Sequence, residues 1–477
     1  MDLKKGSIPE EADPKEIQRV FELQMAYHTQ LGATTARERL AKLKQLHAVL
    51  LASRPKIYQA MLADFAKPQL EVDLSEIYPV LHDIRFARKN LRRWMSPQPV
   101  TTPLVFLGSS SWVQYESKGV CLIISPWNFP FLLTLGPLVS AIAAGNTAII
   151  KPSEYTPHST AVMREIVESI FEEREVAFFE GTVPTSNALL ALPFHHIFFT
   201  GSPSVGKIVM AAAAKHLSSI TLELGGKSPV FIDETAHLKE AARRLAFTKY
   251  LNNGQACVSP DYILIHESKK AAFLKELKAQ LIKKYGTDPS KNPDYCRIVS
   301  EKHFLRLKKY LEQANAQGAE LVTGGQTQDT DRYIAPTIIA GLQANSPFLQ
   351  EEIFGPILPV VTYKNLDEAI RVVNEKERPL SLYIYSQNRK NIRHIIRHTR
   401  AGGTAINNSV VYFLNNHLPF GGVNNSGMGR SHGFAGFQAF SNQRAFYRQY
   451  LPAATELISP PYTRFTLWLS NFVTKWL

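Results

Sequence analysis

A chain of 477 residues and 53.5 kDa exceeds what one hydrophobic core supports and calls for two or three domains. Hydrophobic residues make up 45% and charged residues 20%, which excludes a disordered chain, and no apolar run reaches the roughly 20 residues that span a bilayer. The net charge of +13 is read as a solvated basic surface, and no nucleic-acid partner is expected from it.

The opening MDLKKGSIPEEADPKE follows its lysines with acids and no apolar core, so it is expected not to be a leader. From about Pro14 to Met95 apolar residues recur at three and four between Lys, Arg and Glu, which predicts a helical lead-in. TTPLVFLGSSSWVQYES then sets two β-prone runs around Gly108, Ser109 and Ser110, predicting a hairpin that needs something to pair with. From Val120 short apolar runs alternate with helical stretches, as in βαβ units with a parallel sheet. VCLIIS, NTAIIK, EVAFFEGT, HHIFFTG and SSITLEL predict five strands, with LLTLGPLVSAIAAG as one crossover helix. A second alternating block runs from Ser228 to about Gly427, with strands such as SPVFID, DYILIH and GPILPVVTY. The fold class is therefore α/β, with a boundary near Gly225 and Gly226 facing a cleft. Ligands of such sheets bind beyond the carboxyl ends of the strands.

Three cysteines at wide spacing, Cys121, Cys257 and Cys296, form neither a disulfide framework nor a CxxC metal knuckle, and fit a reducing cytosol. Cys121, inside a predicted buried strand, and Cys296, in a polar connection, are read as structural. The basic run RKNIRHIIRHTR spaces His394 and His398 four apart, but Ile395 stands where a zinc helix needs glutamate. It is read as a solvated helix face, and no metal is expected.

FFTGSPSVGK separates Gly201 and Gly206 by four residues before Lys207, close to a phosphate-binding P-loop. Ile208 replaces the hydroxyl residue that would hold magnesium, so ATP chemistry is disfavoured. What remains is a glycine-bearing turn opening a helix, where backbone N–H groups suit a phosphate. LELGGKSP places Glu223 at a strand end, where a carboxylate is costly to bury unless something pairs or uses it. Cys257 follows 34 residues later in NNGQACVSPDY. Each alone favours a structural reading, since a free cysteine usually packs as a small hydrophobe. At the ends of elements flanking one cleft, they suit a general base and a nucleophile. Asn128, in IISPWNFP, offers an amide that could donate to developing negative charge.

SPWNFP, KPSE, FFTGSPSVGK, LELGGKSP, GQACVSP, EEIFGP and LPFGGVNNSGMG stand in the order and spacing of the NAD(P)-dependent aldehyde dehydrogenases, which the chain resembles from about Glu16 to Thr463. AAAAKHLSSITLELGGKSP, CVSPDYIL, SHGFAGFQAFSNQRAF and the following PPYT are most similar to the class three branch, which includes the fatty aldehyde enzymes. The resemblance implies oxidation of medium or long aliphatic, or aromatic, aldehydes to carboxylic acids. Cys257 would be the nucleophile, passing through a thiohemiacetal and a thioester. Asn128 and the Cys257 N–H would hold the oxyanion, and Glu223 would activate water. Lys151 and Glu154 would contact the adenosine ribose, favouring NAD and leaving NADP open. Gly201, Ser202 and Gly206 would lie at the pyrophosphate, Glu352 and Phe354 would contact the nicotinamide ribose, and Trp127 would also bind the cofactor.

The implied architecture is a Rossmann-like parallel-sheet cofactor domain at 1–101 and 120–225, with its helical N-terminal part, and an α/β catalytic domain at 226–427. A small β bridging element would comprise 102–119 and 428–450, and an amphipathic tail 451–477. The hairpin at 102–115 and a strand near 438–447 would join two subunits into a homodimer. In the tail, Phe465, Trp468, Leu469, Phe472, Val473, Trp476 and Leu477 form an apolar stripe flanked by Arg464 and Lys475. It suits either a membrane surface, contacted through 462–477, or the chain's own dimer, where it would cap a substrate tunnel; the fatty aldehyde enzymes carry a membrane-directed C-terminus. The competing functional readings are a semialdehyde specialist, which needs a cationic anchor, and a non-catalytic membrane-associated scaffold.

Overall fold

Four helices, Pro14–Gly32, Ala36–Ala52, Arg54–Phe65 and Tyr78–Met95, form the lead-in of the computed structural model, which describes residues 9–343, 345–452, 456 and 459–476. The reading of residues 1–8, and Leu477 with 453–455 and 457–458 of the tail, lie outside the described residues. Local chemistry sets the helix starts. Asp13 accepts from Lys15 N with Pro14 in the first helical position, and Thr35 and Glu38 cap each other reciprocally.

The first sheet runs Ser219–Leu224, His196–Gly201, Val120–Ile124, Thr147–Lys151, Val176–Phe178 in spatial order, all parallel. Its middle strands are buried on both faces, which is why they read as unbroken apolar runs. The chain leaves Val120–Ile124 in one direction and returns on its other side with His196–Gly201, so a topological switch point opens between these two strands. The second sheet has seven strands, in the order Glu320–Thr323, Thr337–Ala340, Ile357–Tyr363, Tyr262–His266, Pro229–Ile232, Ser381–Tyr385, Gly403–Ile406. Gly427–Met428 then returns to the first sheet as an antiparallel edge, setting Gly427 opposite Glu223.

The expected hairpin takes a different form. Its first arm is Gln98–Val100, paired with 111–113, and Leu104–Phe106 coils into a 3₁₀ turn. The cause is Pro103, which has no N–H to donate and whose carbonyl accepts from Phe106 N at 2.9 Å, closing the turn. The second arm, Ser109–Ser117, pairs over its whole length with Ser441–Gln449, and Trp112 stacks on Phe446 with ring centroids 5.2 Å apart. That strand starts later than expected because helix Gly433–Ala439 occupies the preceding residues. The basic run forms helix Arg389–His398, in which Ile395 is buried and His394 pairs with Asp367 at 2.6 Å.

Candidate active site

The turn carrying Cys257 is held in a conformation that side chains rarely adopt. Asn252, Asn253 and Gly254 have φ of 51°, 56° and 71°, three left-handed residues in succession. A Cβ on Gly254 would meet Gly355 O at 2.3 Å, so only glycine fits. Each left-handed asparagine costs about 1 kcal/mol or more. Side-chain hydrogen bonds offset this: Asn252 Nδ2 donates to Asn128 O at 2.7 Å and Gln255 O at 3.1 Å, and Gln255 bridges Arg297 O and Val299 N at 3.0 Å each. The result is a rigid turn that presents Cys257 to a cleft while Cys121 and Cys296 stay buried.

The cleft, of about 240 Å³, lies at the carboxyl ends of the first sheet and brings together Trp127, Asn128, Gly201, Ser202, Glu223, Cys257, Glu352 and Phe354. Burial pushes the Cys257 thiol up to about 12, helped by the Glu352 and Glu223 carboxylates and opposed by the N–H groups of Cys257 and Val258. Burial beside two acids therefore favours the thiol over the thiolate, and a base must take its proton when it reacts. Glu223 ends its strand 7% exposed; Oε1 accepts from Ser431 Oγ at 2.8 Å, and Oε2 has no hydrogen-bond partner among the described residues. Burial raises its pKa to about 7, against the opposing pull of Ser431, His432 and Arg430. Such a carboxylate can accept a proton near neutrality. Asn128, 3% exposed, uses one amide N–H on Gln255 O at 3.1 Å, which leaves the second for a ligand.

The other side of the cleft fits a dinucleotide. Ser202 caps the twelve-residue helix Pro203–Ala214, accepting from Val205 N at 3.4 Å, so first-turn N–H groups stand at the strand end, an arrangement that suits a phosphate. Thr200 Oγ1 is buried there with no hydrogen-bond partner among the described residues. A Cβ on Gly225 would fall 2.0 Å from Glu352 Oε2, so the close approach of that carboxyl requires glycine. Burial raises Glu352 to about 8. Lys151 and Glu154 stand at the end of a neighbouring strand, 3.5 Å apart, outside the Cys257 cavity. Gly206 does not reach the cleft. Its absent Cβ would lie 2.7 Å from Leu224 Cδ2, so it allows the helix to pack closely on the strand.

Four groups near the site lie outside the motifs read from sequence for it. Ser431 and His432 reach it through the pairing of Gly427 with Glu223 and of Phe420 with Ser431, and His432 Nδ1 stands 3.4 Å from Asp83 Oδ2. Arg306 donates to the carbonyls of Glu352 and Ile353 at 3.3 and 2.6 Å. The one local signal for these was the Ser-His pair directly after a glycine-rich loop, and it does not say which strand the loop meets.

The model of the aldehyde dehydrogenase family matches residues 6–446. The chain is 42% identical over 424 residues to 4,4'-diaponeurosporen-aldehyde dehydrogenase of Staphylococcus aureus, covering 89% of this chain and 92% of that protein. It is 43% identical over 408 residues to aldehyde dehydrogenase family 3 member A2 of Mus musculus, covering 86% and 83%. The solved substrate-bound state of Staphylococcus aureus AldH superposes with a TM-score of 0.92 at 39% identity, over 96% of this chain and 99% of that one.

Proposed function

This chain belongs to the aldehyde dehydrogenase family and oxidises aldehydes with NAD(P), and from that premise we propose that Cys257, Glu223 and Asn128 carry the reaction on apolar aldehydes of medium or long chain or with an aromatic ring. Cys257 Sγ adds to the aldehyde carbon, and its proton passes to a carboxylate of the cleft. The oxyanion of the thiohemiacetal is held by the free amide N–H of Asn128 and the backbone N–H of Cys257. Bound NAD(P)⁺ supplies the two-electron acceptor that turns this adduct into a thioester. Glu223, which lines the cavity and whose Oε2 has no hydrogen-bond partner among the described residues, then takes a proton from water as the water attacks the thioester, and the acid leaves. Ser202, Glu352 and Phe354 would hold the cofactor. Glu154 beside Lys151 would accept from the ribose hydroxyls, which favours NAD over its 2′-phosphorylated form.

The observation that carries the substrate class is the wall behind Cys257. It is built from Leu132, Leu133, Pro137, Phe198, Leu380 and Phe420, and has no Lys or Arg among the described residues. At His432 it meets an outer cavity of about 720 Å³ whose lining includes Phe86, Trp94, Leu418, Pro419 and Phe434, together with Arg93. A short semialdehyde would need a cation for its far carboxylate within the wall itself, where His432 is already turned to Asp83 and Arg93 lines only the outer cavity. Steady-state rates with aldehydes of two to sixteen carbons, and with benzaldehyde, using NAD or NADP, test this. kcat/KM is expected to rise with chain length by roughly tenfold for every two buried methylenes until the wall is filled. A preference for short or carboxylated aldehydes sinks the reading.

We also infer a homodimer and a membrane-facing tail. Ser441–Gln449 is an edge strand whose outer side is unpaired among the described residues, which suits pairing with a second copy. No helix among the described residues is long and apolar enough to cross a membrane. Helix Arg464–Trp476 instead exposes Phe465, Trp468, Phe472 and Trp476, the first three stacked at 6.1 and 6.0 Å, with Leu469 and Val473 half-buried. An apolar ridge with tryptophans and flanking cations suits an interfacial helix. Light scattering should give twice 53.5 kDa for the full chain and a dimer for a chain ending at Pro461, with only the full chain floating on vesicles. A monomer removes the first inference, and equal flotation of both chains the second.

A further inference from the structure

We propose that the buried cluster of Lys67, Glu71 and Glu76 sets the geometry of the oxyanion site, with the two glutamates as positioning residues; this rests on the roles given above to Asn128 and Cys257. The side chains of Lys67 and Glu76 are fully buried and their charged atoms are 2.7 Å apart. Glu76 Oε2 accepts from Phe131 N at 3.2 Å and Leu132 N at 3.1 Å, the first turn of helix Pro130–Ala144, whose positive end favours a carboxylate. Asn128 lies two residues before that helix, and Lys67 Nζ sits 4.3 Å from the ring centre of the intervening Phe129. Glu71 Oε1 accepts from Asn252 N at 2.7 Å, the first residue of the left-handed run that carries Cys257, and from Cys296 Sγ at 3.4 Å. Asn252 in turn donates to Asn128 O at 2.7 Å. One short segment thus holds both backbone turns that supply the oxyanion donors, yet none of its charged residues lines the cleft.

The local backbone serves this arrangement. Residues five apart on an α-helix point about 140° from each other. Asp73–Ile77 forms an i→i+5 turn between Glu71 and the helix Tyr78–Met95, which narrows that angle and turns both carboxyls inward. Stability does not explain the cluster, because buried ion pairs are often replaceable by apolar residues at no loss. Burial raises both carboxyl pKa values, with Lys67 opposing, so the charges are kept at a cost. Three consecutive left-handed residues persist only where the surroundings over-determine them, and the Glu71 bond is made at the first of the three.

The test compares full-length wild type, Glu71→Ala, Glu71→Gln, Glu76→Gln and Asn128→Ala in three assays: kcat/KM for aldehyde oxidation, NAD affinity by fluorescence quenching, and alkylation of Cys257 by iodoacetamide. Alkylation displaces iodide and forms no oxyanion. Glu71→Ala is expected to lower kcat/KM on the order of 10²-fold while alkylation and NAD affinity stay within about threefold. Glu71→Gln keeps an acceptor for Asn252 N and should recover at least about tenfold of that loss. Glu76→Gln keeps the volume but sets an NH₂ against Lys67 or against the helix N–H groups, so it should show the same split, and it carries the test where Glu71→Ala does not fold. The proposal is overturned if Glu71→Ala keeps wild-type kcat/KM, if alkylation and oxidation fall in equal proportion, or if glutamine is no better than alanine. Loss in Asn128→Ala without loss in Glu71→Ala removes the positioning role alone. An Asn128→Ala enzyme at wild-type kcat/KM removes the oxyanion reading, and this proposal with it.

Discussion

Cys257→Ala is expected to abolish aldehyde oxidation, lowering the rate of cofactor reduction by at least about 10⁴-fold, as loss of a covalent nucleophile does elsewhere. No other thiol lines the cleft among the described residues. Cys121 and Cys296 are buried, and the Ser431 hydroxyl is committed to Glu223. The alanine leaves the turn at 252–255 intact, because the hydrogen bonds there come from Asn252, Asn253 and Gln255 and not from sulfur. NAD affinity should therefore be unchanged. An alanine protein that retains more than about one per cent of wild-type turnover rules out covalent catalysis at this residue. The raised thiol pKa adds a sign: without substrate, alkylation of wild type should quicken steadily from pH 7 to pH 10 as the thiolate share grows.

Glu223→Gln is the second large effect. Without a base the thioester persists, so a stoichiometric burst of reduced cofactor should be followed by turnover slower by roughly 10²–10⁴-fold. In wild type the carboxylate form does the work, so hydrolysis should rise as pH passes upward through about 7 and then level off; in the glutamine enzyme that step disappears. Stability carries an independent sign. Because folding raises this pKa, the contribution of Glu223 is complete below its unfolded value of about 4.5 and is lost as pH rises through about 7. Glutamine carries no such loss, so relative to wild type it should gain roughly 3 kcal/mol in unfolding experiments between pH 5 and pH 8. A flat wild-type pH profile, or no burst in the variant, removes the general-base role.

Much of this was readable because it depends on local rules. Strands buried on both faces must be apolar throughout, so Val120–Ile124 and its neighbours announce themselves as runs. A strand-to-helix turn with small residues exposes its backbone N–H groups, so Gly201 and Ser202 stand out. The hairpin arm at Leu104–Phe106 was misread because β propensity in LVF is real, while Pro103 decides the backbone and acts through its missing N–H. Spacing alone does not tell that Gly206 packs against Leu224.

The order of the α/β elements and the residue types at strand ends follow from the sequence, since each depends on neighbours a few positions away. What those residues experience depends on contacts between distant segments. The Cys257 thiol is held above its usual range by burial and by two carboxylates from distant segments, Glu352 and Glu223. Ser431 and His432 join Glu223 across some 200 residues through one antiparallel pairing, and Glu71 meets Asn252 N 181 positions away. Burial and field are sums over everything packed nearby, and that sum exists only once the two sheets have closed on each other.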